Sequence, residues 1–283
     1  MNNHYLFISA HLDDAIISCG DYIDSLVRAG QRVTVATVFT GTGTGTDLSL
    51  LARILHKKFG LSSNVMKVRR EEDINACGLL GVDTIHLDLQ ESIYRKDHSG
   101  APSYTKLDDL FRGNYETELD VISEVAEVLS TRLSLTDYER IYIPLAIGRH
   151  VDHGIVRIAS EQAIRSNIEL EVTARLIYYE DLPYLNYGQD TQWEIELACH
   201  LHPVYNSLPR CCLKQKTAAI LAYRSQIGLL WNSRWEMLRQ VIRHAHSCHP
   251  PELQLDPNTY CFRLHAMSVP EQIPFARLVP ENF

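Results

Sequence analysis

Tyr5-Leu6-Phe7-Ile8-Ser9-Ala10-His11-Leu12-Asp13-Asp14 opens the chain with a short apolar run, followed at once by one imidazole and two carboxylates. A run of this length without polar alternation is the pattern of a strand covered on both faces. From residue 14 the spacing changes. Ile16, Ile17, Ile23, Leu26 and Val27 form an apolar face and Gly30 stands beyond them, which predicts a helix over 14–29. A buried strand feeding directly into a helix is half of a βαβ unit. The His/Asp cluster occupies the turn between the two.

The same alternation continues. Residues 33–39 are rich in β-branched side chains and read as a second strand. A helix over 65–80 stops at Gly81. Strands over 84–89, 141–145 and 175–179 alternate with helices over 116–133 and 153–165, and Pro144 must fall at the end of its strand. The expected fold class is α/β and Rossmann-like: a mostly parallel sheet flanked by helices on both faces, with right-handed crossovers. Ligands of such sheets collect beyond the carboxyl ends of the strands. His150-Val151-Asp152-His153 follows strand 141–145, so both His/Asp clusters fall on that edge. After residue 180 the pattern weakens. Helices over 214–226 and 231–245 and a last edge strand over 260–264 are expected, whereas 89–113 and 181–209 read as long irregular segments of the kind that form lids or binding walls. Without repeats or a low-complexity linker, 1–283 reads as a single domain. Its core covers about 1–180, and 181–283 completes the substrate pocket.

A formal net charge of -8 argues against a nucleic-acid-binding surface. The 7 cysteines include no CxxC pair, which excludes a zinc ribbon or thioredoxin motif and fits reduced thiols in a cytoplasmic protein. No signal-peptide pattern is read at the start, and no apolar run approaches the ~20 residues of a membrane span. Oligomeric state is not legible, and a homo-oligomer is compatible with everything above.

A catalytic metal site takes three protein ligands and keeps a position open. A bound metal can bring the pKa of water from about 15.7 to about 7. No isolated side chain matches that effect, so the two clusters are read first as metal ligands. His11 and Asp14 are three apart across the strand-to-helix junction and can face one ion. Asp13 and Asp14 diverge and should not share one job: one carboxylate can bind the metal while the other stands beside the water as general base. His150 and His153 are also three apart: one can ligate while the other stabilises an oxyanion or protonates a leaving amine, and Asp152 can orient one of those imidazoles. Each cluster alone is a weak signal. Two of them at strand ends of one alternating chain are a strong one.

These motifs resemble those of the PIG-L/LmbE-like zinc-dependent N-acetylglucosamine deacetylase family, whose usual first motif is AHPDDE and second is HxDH. Arg69-Arg70-Glu71-Glu72 leading to Leu80-Gly81-Val82 is similar to the family's RxxE…LG helix, and Lys214, Ala218 or Ala219 and Tyr223-Arg224-Ser225-Gln226 are similar to its K…A…SQ segment. The resemblance runs from about residue 4 to 227. It implies a Rossmann-like fold, Zn2+ (or Fe2+ or another divalent ion) on His11, Asp14 and His153, and Asp13 as general base. It also implies His150 at the tetrahedral intermediate or as acid, with Asp152 behind it. Leu12 and Ala15 depart from the family's proline and glutamate.

Candidate substrate-binding residues are Arg69, Glu180, Lys214 and Gln226. Arg69 could instead pair with Asp73 at i+4. The aromatics of Tyr178-Tyr179-Glu180-Asp181-Leu182-Pro183-Tyr184 could stack on a sugar while Glu180 or Asp181 binds hydroxyls; ordinary wall packing is the alternative. The Gly/Thr loop over 40–47 reads as a mobile active-site loop rather than a phosphate cradle. His244, His246, Cys248 and His249 read as an exposed helix end, with auxiliary metal binding as the alternative. The expected activity is a metal-dependent N-deacetylase acting on a small N-acetylated amino sugar or glycoconjugate. A deacylase of a non-sugar amide in specialised metabolism and a non-catalytic sugar- or nucleotide-binding module stay open.

Overall fold

The structure, a computed structural model, describes residues 2–42, 48–61, 64–113, 115–167, 175–186, 201–248, 256 and 258–267. Its frame is a seven-stranded sheet: β1 (His4–Ser9), β2 (Arg32–Thr37), β3 (Asp83–His86), β4 (Arg140–Pro144), β5 (Leu176–Tyr179), β6 (Leu201–Pro209) and β7 (Thr259–Met267). The order is β3-β2-β1-β4-β5-β7-β6. The first five strands pair in parallel. β7 joins β5 and β6 in antiparallel fashion. The chain steps outward from β1 to β3 and then crosses to β4, so the strand order reverses between β1 and β4. That reversal opens a crevice at the carboxyl ends of these two strands.

Helices cover both faces, and side-chain parity decides which face each strand residue serves. Phe7, Val35, Tyr142 and Ile177 pack under α1 (Asp14–Arg28), α3 (Val65–Leu80) and α6 (Arg210–Ile220). Their neighbours Leu6, Ile8, Ala36, Ile141, Ile143 and Leu176 pack under α4 (Leu119–Arg132) and α5 (Val151–Asn167). Removing such residues from water on both sides explains why the central strands read as unbroken apolar runs. Gly154 of α5 marks a contact no larger residue can make: a Cβ there would lie 2.0 Å from the Tyr115 ring.

The differences from expectation lie mostly in the last third. The segment 181–209 contains β6, which buries only Leu201 and Leu208 and is otherwise built of exposed or half-buried, largely polar residues and prolines. β7 is consequently not an edge strand; it lies between β5 and β6. The expected helix 214–226 is two helices, α6 and α7 (Arg224–Leu230), parted at Leu221 and Tyr223. The helix expected over 231–245 is α8 (Arg234–Ser247), started by the Ser233 side chain accepting from the Glu236 N–H. α2 (Leu50–Lys58) was not expected at all. Most of the Gly/Thr loop, 43–47, lies outside the described residues. Among the described residues no helix is long and apolar enough to cross a membrane.

Candidate active site

Ser9 shapes the turn after β1. Its hydroxyl donates to the His11 carbonyl at 2.7 Å and accepts from the Ala15 N–H at 3.1 Å. The Asp13 N–H reaches the same carbonyl at 2.9 Å. Leu12, fully buried in the core, pins the turn between its polar neighbours. After β4 the chain passes through left-handed positions at Ala146, Gly148 and Arg149 before α5 begins. These two turns bring both clusters into the crevice.

Asp14 Oδ2 lies 3.2 Å from Nδ1 of His11 and 3.2 Å from Nε2 of His153. A carboxylate holds the far nitrogen of each ring. Asp152 Oδ2 is 2.9 Å from His11 Nε2, and Asp181 Oδ1 is 2.6 Å from His153 Nδ1. Asp152 is fixed in turn by the Ser92 N–H at 3.0 Å, the Ser92 hydroxyl at 2.8 Å and Arg95 at 2.7 Å. Asp181 accepts from the Ile147 N–H at 2.9 Å. His153 Nε2 is buried and makes no hydrogen bond among the described residues.

Donors bonded tetrahedrally to a zinc-sized ion at ~2.0–2.1 Å stand about 3.3 Å from one another. The observed spacings match that edge. The orphaned nitrogen, the carboxylate between two imidazoles and the carboxylate behind each imidazole are what a divalent-cation site requires. Burial alone would push the Asp14 carboxyl up, but His153 and His11 hold it well below the usual carboxylate range. Burial would lower His153, yet Asp14 and Asp181 raise it to about 9.

His150 is the third imidazole, with its ligand atom within 4.8 Å of those of His11 and His153. The Asp152 N–H donates to its Nδ1 at 3.2 Å, which leaves the ring proton on Nε2. Burial, reinforced by His11 and His153, keeps its pKa well below that of an ordinary histidine. His150 is therefore a neutral donor. Asp13 lines the cavity, and no hydrogen bond among the described residues uses its carboxylate. Burial and Asp14 push its pKa well above the usual carboxylate range, against Arg69 and His11.

The cavity over these groups measures about 250 Å³. His11, Asp13, Asp14, Arg69, His150 and Gln226 line it, so the structure brings most of the predicted residues together. Leu55, Phe59, Ile93, Leu110, Phe111, Leu229 and Leu230 give it an apolar wall, part of it from the irregular segment 89–113. Arg69 pairs with Glu91 rather than with Asp73, whose carboxylate takes Tyr223 and His86 instead.

Three expectations are corrected. Glu180 does not line the cavity: it is buried outside it, its carboxylate taken up by His244, Arg263 and His265. Lys214 is exposed on α6 and away from the cavity; the buried lysine of that helix is Lys216, which donates to the Ser18 carbonyl at 2.9 Å and to Asp21 at 3.2 Å. Asp152 backs His11 with its carboxylate and meets His150 only through its backbone. The residue that reasoning from sequence missed is Asp181 in its role behind His153. Its place just past the carboxyl end of β5 was the available signal.

The model of the PIG-L family, GlcNAc-PI de-N-acetylase, matches residues 6–164. A 2'-N-acetylparomamine deacetylase of Niallia circulans is 28% identical over 244 residues, 79% of this chain and 80% of that protein. The crystal structure of a deacetylase–bog complex in the biosynthesis pathway of teicoplanin superposes with a TM-score of 0.77 at 25% identity, covering 95% of this chain and 100% of that one. The zinc-inhibited form of teicoplanin deacetylase Orf2 does so with a TM-score of 0.75 at 25% identity and the same coverage.

Proposed function

The chain belongs to the PIG-L family, and on that premise we propose that it is a metal-dependent N-deacetylase acting on an N-acetylated amino sugar or glycoconjugate. The observation that carries the reading is Asp14 Oδ2 standing 3.2 Å from both His11 Nδ1 and His153 Nε2, beside an unengaged Asp13 in a cavity. The deacetylase names of the curated and structural relatives support it.

His11, Asp14 and His153 would hold the ion, with Asp152 and Asp181 fixing the two rings. Bound there, a divalent cation supplies Lewis acidity to the acetyl carbonyl and the attacking water. Asp13 takes a proton from that water as its oxygen adds to the carbonyl carbon. His150, with its proton on Nε2, donates to the oxyanion as the carbonyl bond opens. When the C–N bond breaks, Asp13 returns its proton to the departing nitrogen, and acetate and free amine leave. A raised carboxyl pKa suits a group that must both accept and give back a proton. Arg69 and Gln226 are two of the polar residues lining the cavity that we assign to the sugar.

Two imidazoles and a carboxylate suit zinc, and they suit Fe2+ as well; metal analysis of active protein decides between them. Tyr184, Gln226, Leu229 and Leu230 line the cavity, which supports the reading that residues after 180 complete one domain with the sheet. Six free cysteines among the described residues support a reducing, cytoplasmic setting.

The apolar wall favours a second reading, deacylation of a non-sugar amide. Free-amine release from three substrate sets separates the two: N-acetyl amino sugars, N-acetylated glycoconjugates with apolar aglycones, and acylated non-sugar amines. Turnover of an N-acetyl sugar or glycoconjugate is expected. Turnover confined to non-sugar amides retires the sugar reading.

A further inference from the structure

Behind the active site, the last turn of α8 faces the end of β5. His244 and Cys248 are four apart on α8 and share one helix face. Glu180 follows β5 and meets them. His244 Nε2 lies 2.9 Å from Glu180 Oε2 and 3.6 Å from Cys248 Sγ, and the three ligand atoms all lie within 4.8 Å of one another. All three residues are buried: Glu180 is 5% exposed, His244 4% and Cys248 1%. The exposed helix end expected from sequence is confined to His246, with His249 outside the described residues.

We propose that Glu180 Oε2, His244 Nε2 and Cys248 Sγ form a second divalent-cation site suited to zinc. Tetrahedral zinc with bonds of ~2.3 Å to sulfur and ~2.0–2.1 Å to nitrogen separates those two donors by about 3.5 Å; the structure shows 3.6 Å. The two carboxylate oxygens divide their work. Oε1 takes Arg263 Nε at 2.5 Å and His265 Nε2 at 2.9 Å, while Oε2 is left toward His244 and Cys248. The Arg263 backbone N–H hydrogen-bonds toward Cys248, the contact that steadies a metal-bound thiolate. A thiolate in the set distinguishes this site from the catalytic one and favours zinc over magnesium or calcium. On binding, Cys248 gives up its thiol proton and His244 moves its ring proton to Nδ1, so both sulfur and Nε2 present lone pairs.

The consequence reaches the active site through a single peptide bond. Glu180 precedes Asp181, and Asp181 holds His153. An ion that ties Glu180 to α8 immobilises the segment that aims a catalytic ligand.

Cobalt(II) titration of the metal-stripped full-length chain tests this, because thiolate-to-cobalt charge transfer absorbs in the near ultraviolet and the catalytic set contains no sulfur. The charge-transfer band is expected in the parent protein and in His11→Ala. It should be lost in Cys248→Ser, with one equivalent less cobalt bound. Glu180→Gln should weaken cobalt binding at this site at least tenfold. Circular dichroism confirms that each variant is folded, and His244→Gln serves as a second probe should Cys248→Ser fail that check. A parent that binds cobalt without the band overturns the proposal, as does a band that persists in folded Cys248→Ser. Loss of cobalt from the catalytic set alone would leave the band in place, so failure of the catalytic reading is told apart from failure of this one.

Discussion

Asp181 accepts a hydrogen bond from Nδ1 of His153 at 2.6 Å, both side chains being fully buried, and this contact turns Nε2 of the ring toward Asp14. The carboxylate sets both the tautomer and the direction of a proposed metal ligand. Asp181→Asn keeps the shape and loses the charge. Metal affinity at the catalytic site should fall about 10–100-fold, the usual effect of removing such a partner. Titration against a competing chelator measures it. Unchanged affinity would mean that Asp181 only fills space.

The Asp13 carboxylate makes no hydrogen bond among the described residues and lines the cavity beside the three proposed ligands. Asp13→Asn should bind metal as the parent does and lose about 10²–10⁴ in kcat, the worth of a general base. The informative readout is the pair of values. Activity lost together with metal would place Asp13 among the ligands, and parental kcat would remove it from the mechanism.

Much of this was legible in the sequence, for identifiable reasons. Strands β1, β2, β4 and β5 are buried over most of their length, so most of their side chains are apolar irrespective of detail, and helix α3 ends where Gly81 adopts a left-handed conformation. The pairing of His11–Asp14 with His150–His153 followed from where strands of a parallel sheet end. Less was legible where contacts are long-range. β6 is covered unevenly and carries two prolines, so it lacks the apolar signature of the inner strands. Glu180 and Asp181 are adjacent carboxylates with opposite destinations, one toward α8 and β7 and the other toward His153. Local pattern cannot distinguish them, because the partners are supplied by distant elements.

Gly154 follows a metal-ligand candidate and packs against a ring. A methyl group there would stand 2.0 Å from Tyr115 Cε1 and 2.2 Å from Cζ. Alanine favours a helix interior over glycine by about 1 kcal/mol, but overpacking costs about 1–3 kcal/mol. Gly154→Ala should therefore be destabilised by up to about 2 kcal/mol, measured by denaturant unfolding of the metal-free protein. Gly78, also helical, has nothing within 4 Å of a built Cβ. Gly78→Ala should gain stability where Gly154→Ala loses it.

The two lysines of α6 separate what the sequence resembles from what the fold uses. Lys214 is exposed, so Lys214→Ala should change stability by no more than ~0.5 kcal/mol. Lys216 is 1% exposed, and its ammonium reaches Asp21 at 3.2 Å and the Ser18 carbonyl at 2.9 Å. Asp21 is equally buried, and without the lysine its remaining side-chain partners are the Tyr260 hydroxyl at 2.9 Å and the Tyr22 N–H at 3.0 Å. Removing one member of a buried pair strands the other charge, at a cost of about 3–5 kcal/mol. Lys216→Ala should therefore unfold at much lower denaturant, and Lys216→Ala combined with Asp21→Asn should recover part of that loss. Equal midpoints for the Lys214 and Lys216 variants would show that the buried pair is not what binds α6 to α1.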